Sequence, residues 1–187
     1  MKDMTIFEEE EKLAEEVVRS ISVDQAMIIG IDGKDGSGKT TLAQRIAEQI
    51  KGEVVSLDEY VEKKKGCYVQ YLRLNEIRAT LSSKMGPLVV EGVCLLAAAD
   101  RIGIRIDKLI YVKRVNSSHQ WLDEEECDPK EPVEDLIERL EKNPGIFPES
   151  EGCETVKLPE LIKEIIHYHA EYRPLKRADY VFYRIDA

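Results

Sequence analysis

The chain has 187 residues, 43% of them hydrophobic, and a formal net charge of −10. These values suit one soluble globular domain without a transmembrane helix, and the negative charge argues against a nucleic-acid partner, whose phosphates require concentrated Lys and Arg. The N-terminal residues lack the basic-then-apolar layout of a secretion signal, so we expect a cytoplasmic protein with no membrane partner.

The first predicted element is an amphipathic helix near the N-terminus. Leu13, Val17 and Ile21 recur every four residues, and glutamates occupy the opposite side. Such a helix either packs on the sheet's edge or mediates homodimerisation, and packing is the simpler interpretation. The chain is thus divided into an N-terminal helix, residues 1–24, and a main domain, residues 25–187.

A glycine-rich loop follows at residues 33–40 and fits the pattern Gly, four residues, Gly-Lys-Thr. The apolar run 26–32 before it is typical of a buried parallel strand. After the loop, Leu42 and Ile46 recur at helical spacing, so a helix is predicted to begin near Lys39. Strand, loop and helix occur in the order that a phosphate-binding loop requires, whereas the alternative is a turn that merely joins the two elements.

The residue types of this loop explain how it would hold a nucleoside triphosphate. Glycines let backbone N–H groups point at phosphate oxygens, and the start of a helix favours negative charge. Lys39 supplies a positive charge for the β and γ phosphates, and the Thr40 hydroxyl is a potential Mg²⁺ ligand. The predicted nucleotide-binding residues are Gly33, Lys34, Asp35, Gly36, Ser37, Gly38, Lys39, Thr40 and Thr41.

Two carboxylates follow the next predicted strands. Residues 53–57 form a strand that ends at Asp58, and residues 88–90 form another that ends at Glu91. Ligands of open parallel sheets bind beyond the carboxyl ends of the strands, so Asp58 is expected near the phosphates.

Between these strands, residues 60–73 combine tyrosines with lysines and end at Arg73. This composition suits a segment that lines a substrate pocket, and it is equally compatible with a solvated basic loop anchored by its tyrosines. A helix through residues 74–81 follows.

The last third of the chain carries the charge imbalance. A strand is predicted at 108–112, and residues 115–160 then hold 14 acidic and four basic residues, a difference that equals the net charge of the whole chain. Helices from Pro132 and over 159–172 precede a final strand at 178–183. Strands that alternate with helices predict a three-layer α/β fold with a mostly parallel sheet flanked by helices.

Several short motifs, in this order, resemble the uridine kinase-like branch of the P-loop kinases. They are IDGKDGSGKTTLA at 31–43, SLDEY at 56–60, VEGV at 90–93, YRP at 172–174 and ADY at 178–180. The resemblance covers the chain from about residue 26 to its end. It implies a P-loop NTPase fold and a phosphotransferase that uses ATP or GTP with Mg²⁺.

The resemblance also implies roles for individual residues. Asp58 matches the family's general base, Tyr60 its acceptor-pocket aromatic residue, and Glu91 its carboxylate near the metal, although Asp58 could simply cap a turn and Glu91 could simply bind backbone. The predicted metal ligands are Thr40, Asp58 and Glu91. The predicted substrate-binding residues are Asp58, Tyr60, Tyr71, Arg73 and Glu91, and the predicted catalytic residues are Lys39, Asp58 and Arg114.

The lid-like region, residues 114–158, departs from the family's pattern. Members usually carry an arginine-rich lid helix here, whereas this chain offers Arg114 and then the acidic run 123–126. Negative charge near phosphates opposes phosphoryl transfer. Three explanations stay open: Arg114, Lys130 or Arg139 substitutes for the lid arginines, transfer is slow, or the acidic section lies away from the phosphates.

The sequence therefore predicts transfer of a γ-phosphoryl group from ATP or GTP to a hydroxyl of a small molecule, with a nucleoside such as uridine as one candidate. The alternative is a nucleotide-binding regulatory or partner-binding protein with weak or no kinase activity. In a third hypothesis, the acidic section recognises a cationic acceptor.

Overall fold

The computed structural model describes residues 4–21, 27–62, 65–142 and 157–186. Within these ranges, six strands form one sheet in which every neighbouring pair is parallel, so the predicted α/β fold is confirmed. The strands are β1 Thr5–Phe7, β2 Ile28–Asp32, β3 Glu53–Ser56, β4 Leu88–Glu91, β5 Lys108–Val115 and β6 Tyr180–Ile185, arranged in the order β1-β6-β5-β2-β4-β3.

Helices cover both faces of this sheet. They are α1 Glu10–Ser20, α2 Lys39–Ile50, α3 Leu74–Ser83, α4 Leu95–Ile102, α5 Glu124–Cys127, α6 Val133–Glu141, α7 Glu160–Tyr172 and α8 Pro174–Arg177, with two 3-10 turns at Leu57–Tyr60 and Val69–Tyr71. None of the helices in the described ranges has the length and apolar character needed to span a membrane. The predicted end of α6 at residues 143–145 and the loop that follows lie outside the described residues.

Two apolar cores lie on opposite sides of the sheet. On one side, Ile29 and Ile31 of β2 pack with α1 and α2. On the other side, Gly30 faces α4, and a Cβ there would lie 2.7 Å from a methyl group of Leu95. Alternate residues of one strand therefore serve the two layers, as the three-layer prediction requires.

The N-terminal segment belongs to this architecture. Leu13 and Val17 of α1 are fully buried in the same core as α2, which confirms the packing role of the predicted amphipathic face. β1, whose three residues pair with β6, was not predicted from the sequence.

The strand order places β2, and the glycine-rich loop that follows it, in the middle of the sheet. β2 lies between β4 and β5, and the chain leaves it through α2 toward β3 on one side before it returns to β5 on the other. The carboxyl ends of β2 to β6 therefore surround the glycine-rich loop, where parallel sheets of this type bind ligands.

Candidate active site

The glycine-rich loop between β2 and α2 adopts a backbone that glycine alone tolerates well. The φ angles of Gly36 and Gly38 are 71° and 92°, and Gly38 precedes α2 in the left-handed conformation. Gly33 has a φ of 151°, and a Cβ there would lie 2.7 Å from the main-chain oxygen of Val112. The three glycines are thus required by geometry, and Lys39 and Thr40 begin α2 directly behind them.

Lys39 is buried beside this loop. The residue is only 4% exposed, and its Nζ donates to the main-chain oxygen of Lys34 at 2.8 Å. None of the ion pairs formed among the described residues involves it. A buried ammonium group is costly unless a negative charge compensates it, so this lysine is suited to an anionic ligand.

Glu91 joins the loop to the ends of β3 and β4. Its Oε1 accepts from the Thr40 hydroxyl at 3.0 Å and from the Ser56 hydroxyl at 2.6 Å, and the residue is fully buried. Glu91 thus binds side-chain hydroxyls rather than nearby backbone. Its other oxygen, Oε2, has no hydrogen-bond partner among the described residues.

These groups fit a magnesium ion. Mg²⁺ prefers hard oxygen ligands and is commonly held by one or two carboxylates together with substrate phosphates and waters. Glu91 offers an unpartnered buried carboxylate oxygen beside the Thr40 hydroxyl. In the described part of the chain, no cluster of three or more His, Cys, Asp or Glu residues is placed to hold a metal ion.

Asp58 lies in the 3-10 turn that follows β3 and is exposed. Its main-chain oxygen accepts from Val61 N–H at 3.5 Å, while its Oδ1 accepts from the Tyr68 hydroxyl at 2.5 Å. The carboxylate therefore does more than cap a turn, because it is bound by a side chain ten residues further on. Tyr68 is one of the tyrosines of the 60–73 segment, but it was not among the predicted site residues.

The predicted pocket residues of the 60–73 segment hold that segment in place. Tyr60 hydrogen-bonds to Thr80 Oγ1 at 3.0 Å, and Arg73 donates to the main-chain oxygen of Glu59 at 2.7 Å. The Tyr71 ring lies 5.6 Å from Lys65 Nζ. A role for Tyr60, Tyr71 and Arg73 in binding an acceptor stays a prediction.

Arg114 lies beside the loop and is bound by the acidic section. Its guanidinium group contacts both carboxylate oxygens of Asp123, at 3.1 and 3.2 Å, and its terminal nitrogen lies 4.0 Å from the position of a Cβ on Gly36. Lys130 and Arg139, the other proposed substitutes, bind carboxylates within the acidic section itself, with Arg139 2.5 Å from Glu125.

The acidic section does not lie away from the phosphate loop, so that explanation is wrong for its first turn. α5 folds back so that Glu126 and Asp123 contact Lys34 Nζ at 2.7 and 3.3 Å. Burial alone would lower the pKa of Lys34, but the carboxylates of Glu126 and Asp123 outweigh it and raise that pKa above its ordinary value. Asp123 is 3% exposed and is tolerated there because Lys34 and Arg114 neutralise it.

Arg184 contacts the glycine-rich loop, although it was not among the predicted site residues. Its NH1 donates to the main-chain oxygen of Gly36 at 2.8 Å, and its Cδ lies 3.0 Å from the position of a Cβ on Gly38. β6 extends two residues beyond the predicted end at Tyr183, and this extension pairs Arg184 with Arg114 of β5. A predicted strand two residues longer would have placed this arginine at the carboxyl end of β6.

Asp32, which directly precedes the loop, connects it to α7. Its Oδ1 accepts from Gly33 N–H at 2.7 Å, and the Tyr168 hydroxyl donates to its Oδ2. Complete burial raises the pKa of Asp32 to about 6, although these hydrogen bonds oppose the shift. Asp32 thus ties the first residue of the loop, Gly33, to Tyr168 of α7.

Comparison with known proteins identifies the fold. A scan against protein-family models gave no match, and neither did a search of curated proteins. Among solved structures, a possible uridine kinase from Bacillus stearothermophilus matches with a TM-score of 0.52 at 15% identity, covering 92% of this chain and 96% of that chain. The chain has the P-loop kinase fold.

Two further solved structures are less similar. A candidate fructose transport system kinase from Silicibacter sp. TM1040 matches with a TM-score of 0.47 at 14% identity, covering 94% of this chain and 99% of that one. A shikimate kinase from Bacteroides thetaiotaomicron matches with a TM-score of 0.40 at 19% identity, covering 84% and 85%. The match to the possible uridine kinase confirms the resemblance to P-loop kinases at the level of the fold.

Proposed function

We propose that this protein is a phosphotransferase that moves the γ-phosphoryl group of ATP or GTP to a hydroxyl of a small molecule. The observation that carries the proposal is a buried lysine, Lys39, which lies behind a left-handed glycine loop and forms no ion pair within the described residues. A triphosphate supplies the negative charge that this lysine lacks.

In this proposal the loop and three cations hold the donor nucleotide. Backbone N–H groups of the loop and of the first turn of α2 bind the phosphates, and Lys39 neutralises the β and γ groups. Arg114 and Arg184 lie close enough to the loop to contact the transferring group. Charges fixed in this way stabilise the transition state because they need no reorganisation during transfer.

Thr40, Glu91 and Asp58 would hold Mg²⁺ through oxygen atoms. When bound, the ion neutralises charge on the phosphate oxygens. The chain's own contribution is to orient the Glu91 carboxylate, which the hydroxyls of Thr40 and Ser56 do through its Oε1.

Asp58 is proposed to accept the proton of the acceptor hydroxyl. It is exposed at the carboxyl edge of the sheet, two residues after Ser56, the last residue of β3. One of its oxygens is already bound by Tyr68. The acceptor would lie against Tyr60, Tyr71 and Arg73, and nucleosides such as uridine are the first class to test.

The proposal is tested by incubating the purified protein with ATP or GTP, Mg²⁺ and a panel of nucleosides, sugars and amino alcohols, with ADP or GDP formation as the readout. Lys39→Ala should lower turnover roughly 100-fold or more, the usual cost of losing one stabilising group at the transition state. Asp58→Asn should lower it by about the same factor while nucleotide affinity is retained.

Asp135→Asn, on the exposed side of α6, is the matched control and should leave turnover unchanged. Undiminished turnover by Asp58→Asn would exclude Asp58 as the base.

The contacts of α5 favour a second candidate, a nucleotide-binding regulator with weak or no transfer. Asp123 and Glu126 neutralise Lys34 and Arg114, two cations that would otherwise serve the phosphates. This candidate predicts tight nucleotide binding but no acceptor-dependent ADP formation with any member of the panel.

A further inference from the structure

Tyr68 lies between Asp58 and the carboxyl end of β4. Its hydroxyl donates to Asp58 Oδ1 at 2.5 Å, and the residue is 6% exposed. A Cβ on Gly92 would lie 2.6 Å from that hydroxyl, so the absence of a side chain at position 92 makes room for it. The tyrosine is therefore packed into a place from which its hydroxyl reaches the proposed base.

Side chains from two helices bind the backbone of Tyr68 and of the next residue, Val69. The Glu164 carboxylate of α7 accepts from Tyr68 N–H at 2.5 Å and from Val69 N–H at 3.0 Å. Arg101 of α4 donates to the main-chain oxygen of Val69 at 2.5 Å. Hydrogen bonds to charged groups are among the stronger ones in proteins, so the 3-10 turn Val69–Tyr71 is held from both sides.

The remaining oxygen of Asp58 is available to the acceptor hydroxyl or to Mg²⁺. Asp58 Oδ2 accepts no hydrogen bond from the described residues, whereas Oδ1 is bound by Tyr68. An exposed aspartate would otherwise change rotamers freely.

We propose that Tyr68 is a positioning residue that orients the Asp58 carboxylate toward the acceptor hydroxyl, and that Glu164 anchors Tyr68 for this purpose. The inference rests on the proposed function, because it assigns Asp58 the role of base. A displacement of about 1 Å from the reactive geometry is enough to slow an enzyme by up to about 100-fold, so the contact matters although Tyr68 touches no substrate.

Tyr68→Phe isolates the hydroxyl because phenylalanine keeps the buried ring. The variant should lower kcat by roughly 10-fold or more, because a hydrogen bond to a charged group favours the arrangement that it holds by a factor of about 10 or more. The Kd for nucleotide should be unchanged. In the Asp58→Asn background, Tyr68→Phe should cause no further loss of kcat. A purely structural role predicts instead that the two losses multiply.

Glu164→Gln tests the anchor, with Glu160→Gln, one turn earlier on α7 and exposed, as its control. Glu164→Gln should lower kcat in the same direction as Tyr68→Phe, and Glu160→Gln should not. Turnover that falls in Asp58→Asn but is unaffected by Tyr68→Phe would overturn this inference and leave the proposed function intact. A wild-type protein without acceptor-dependent turnover would overturn both.

Discussion

Two glycines with nearly the same φ separate backbone strain from ligand binding. Gly38 of the phosphate loop has a φ of 92° and Gly86, on the turn before β4, has a φ of 94°. Alanine in this left-handed region costs about 1–2 kcal/mol. Gly38→Ala and Gly86→Ala should therefore lose similar stability, with the melting temperature falling by about 2–4 °C for each kcal/mol.

Nucleotide affinity should distinguish the two variants. Among the described residues, a Cβ on Gly86 meets nothing within 4 Å, whereas one on Gly38 lies 3.0 Å from Arg184 Cδ and 3.2 Å from its NH1. If the loop relieves its strain by turning its N–H groups, restoring them for binding costs the same 1–2 kcal/mol, which corresponds to roughly 5- to 30-fold weaker binding.

Isothermal titration calorimetry with ATP and Mg²⁺, paired with thermal unfolding of both variants, measures the two effects. Gly38→Ala should bind roughly 5- to 30-fold more weakly than the wild type, while Gly86→Ala should bind normally. Wild-type affinity in Gly38→Ala, or an equal loss in Gly86→Ala, would show that the glycine loop does not hold the phosphates.

Two further predictions concern charge. Glu126→Gln removes one of the two carboxylates that contact Lys34, so triphosphate affinity should rise by roughly 2- to 10-fold at low salt, an increase that shrinks as salt is added; calorimetry should show no such rise in Glu134→Gln, an exposed control on α6. Because the pKa of Asp32 is raised to about 6 from 3.8, the native state binds a proton that the unfolded chain releases, and this carboxyl adds stability as pH falls from 6 to 4. Burial lowers the pKa of His169 to about 4, so this imidazole has the opposite effect. Asp32→Asn should therefore lose up to about 3 kcal/mol more stability than the wild type between pH 6 and 4 in denaturant titrations, and parallel pH curves would contradict the assignment.

The sequence was sufficient for the elements whose signals are local. β2, the glycine loop and α2 carry an apolar run, a defined spacing and helical periodicity, and the structure has them at the predicted places. β1 was missed because three residues are too few to show alternation, and its strand forms through pairing with β6 at the other end of the chain.

The side-chain partners of the candidate site could not be found in the same way. Glu164 meets the backbone of Tyr68 across 96 residues, and Arg184 meets Gly36 across 148. Such contacts depend on how α7 and β6 pack, which periodicity does not encode. Asp58 and Glu91 could be placed at this edge from the sequence, because Glu91 is the last residue of β4 and Asp58 lies two residues after the end of β3.

The central claim is that the glycine loop and Lys39 bind a nucleoside triphosphate. The most direct test is a calorimetric titration of ATP, and of GTP, with Mg²⁺ into the wild-type protein and into Lys39→Ala. We predict a saturable heat of binding for at least one nucleotide in the wild type and its loss or strong weakening in the variant. No heat with either nucleotide, or equal binding by both proteins, would contradict the claim.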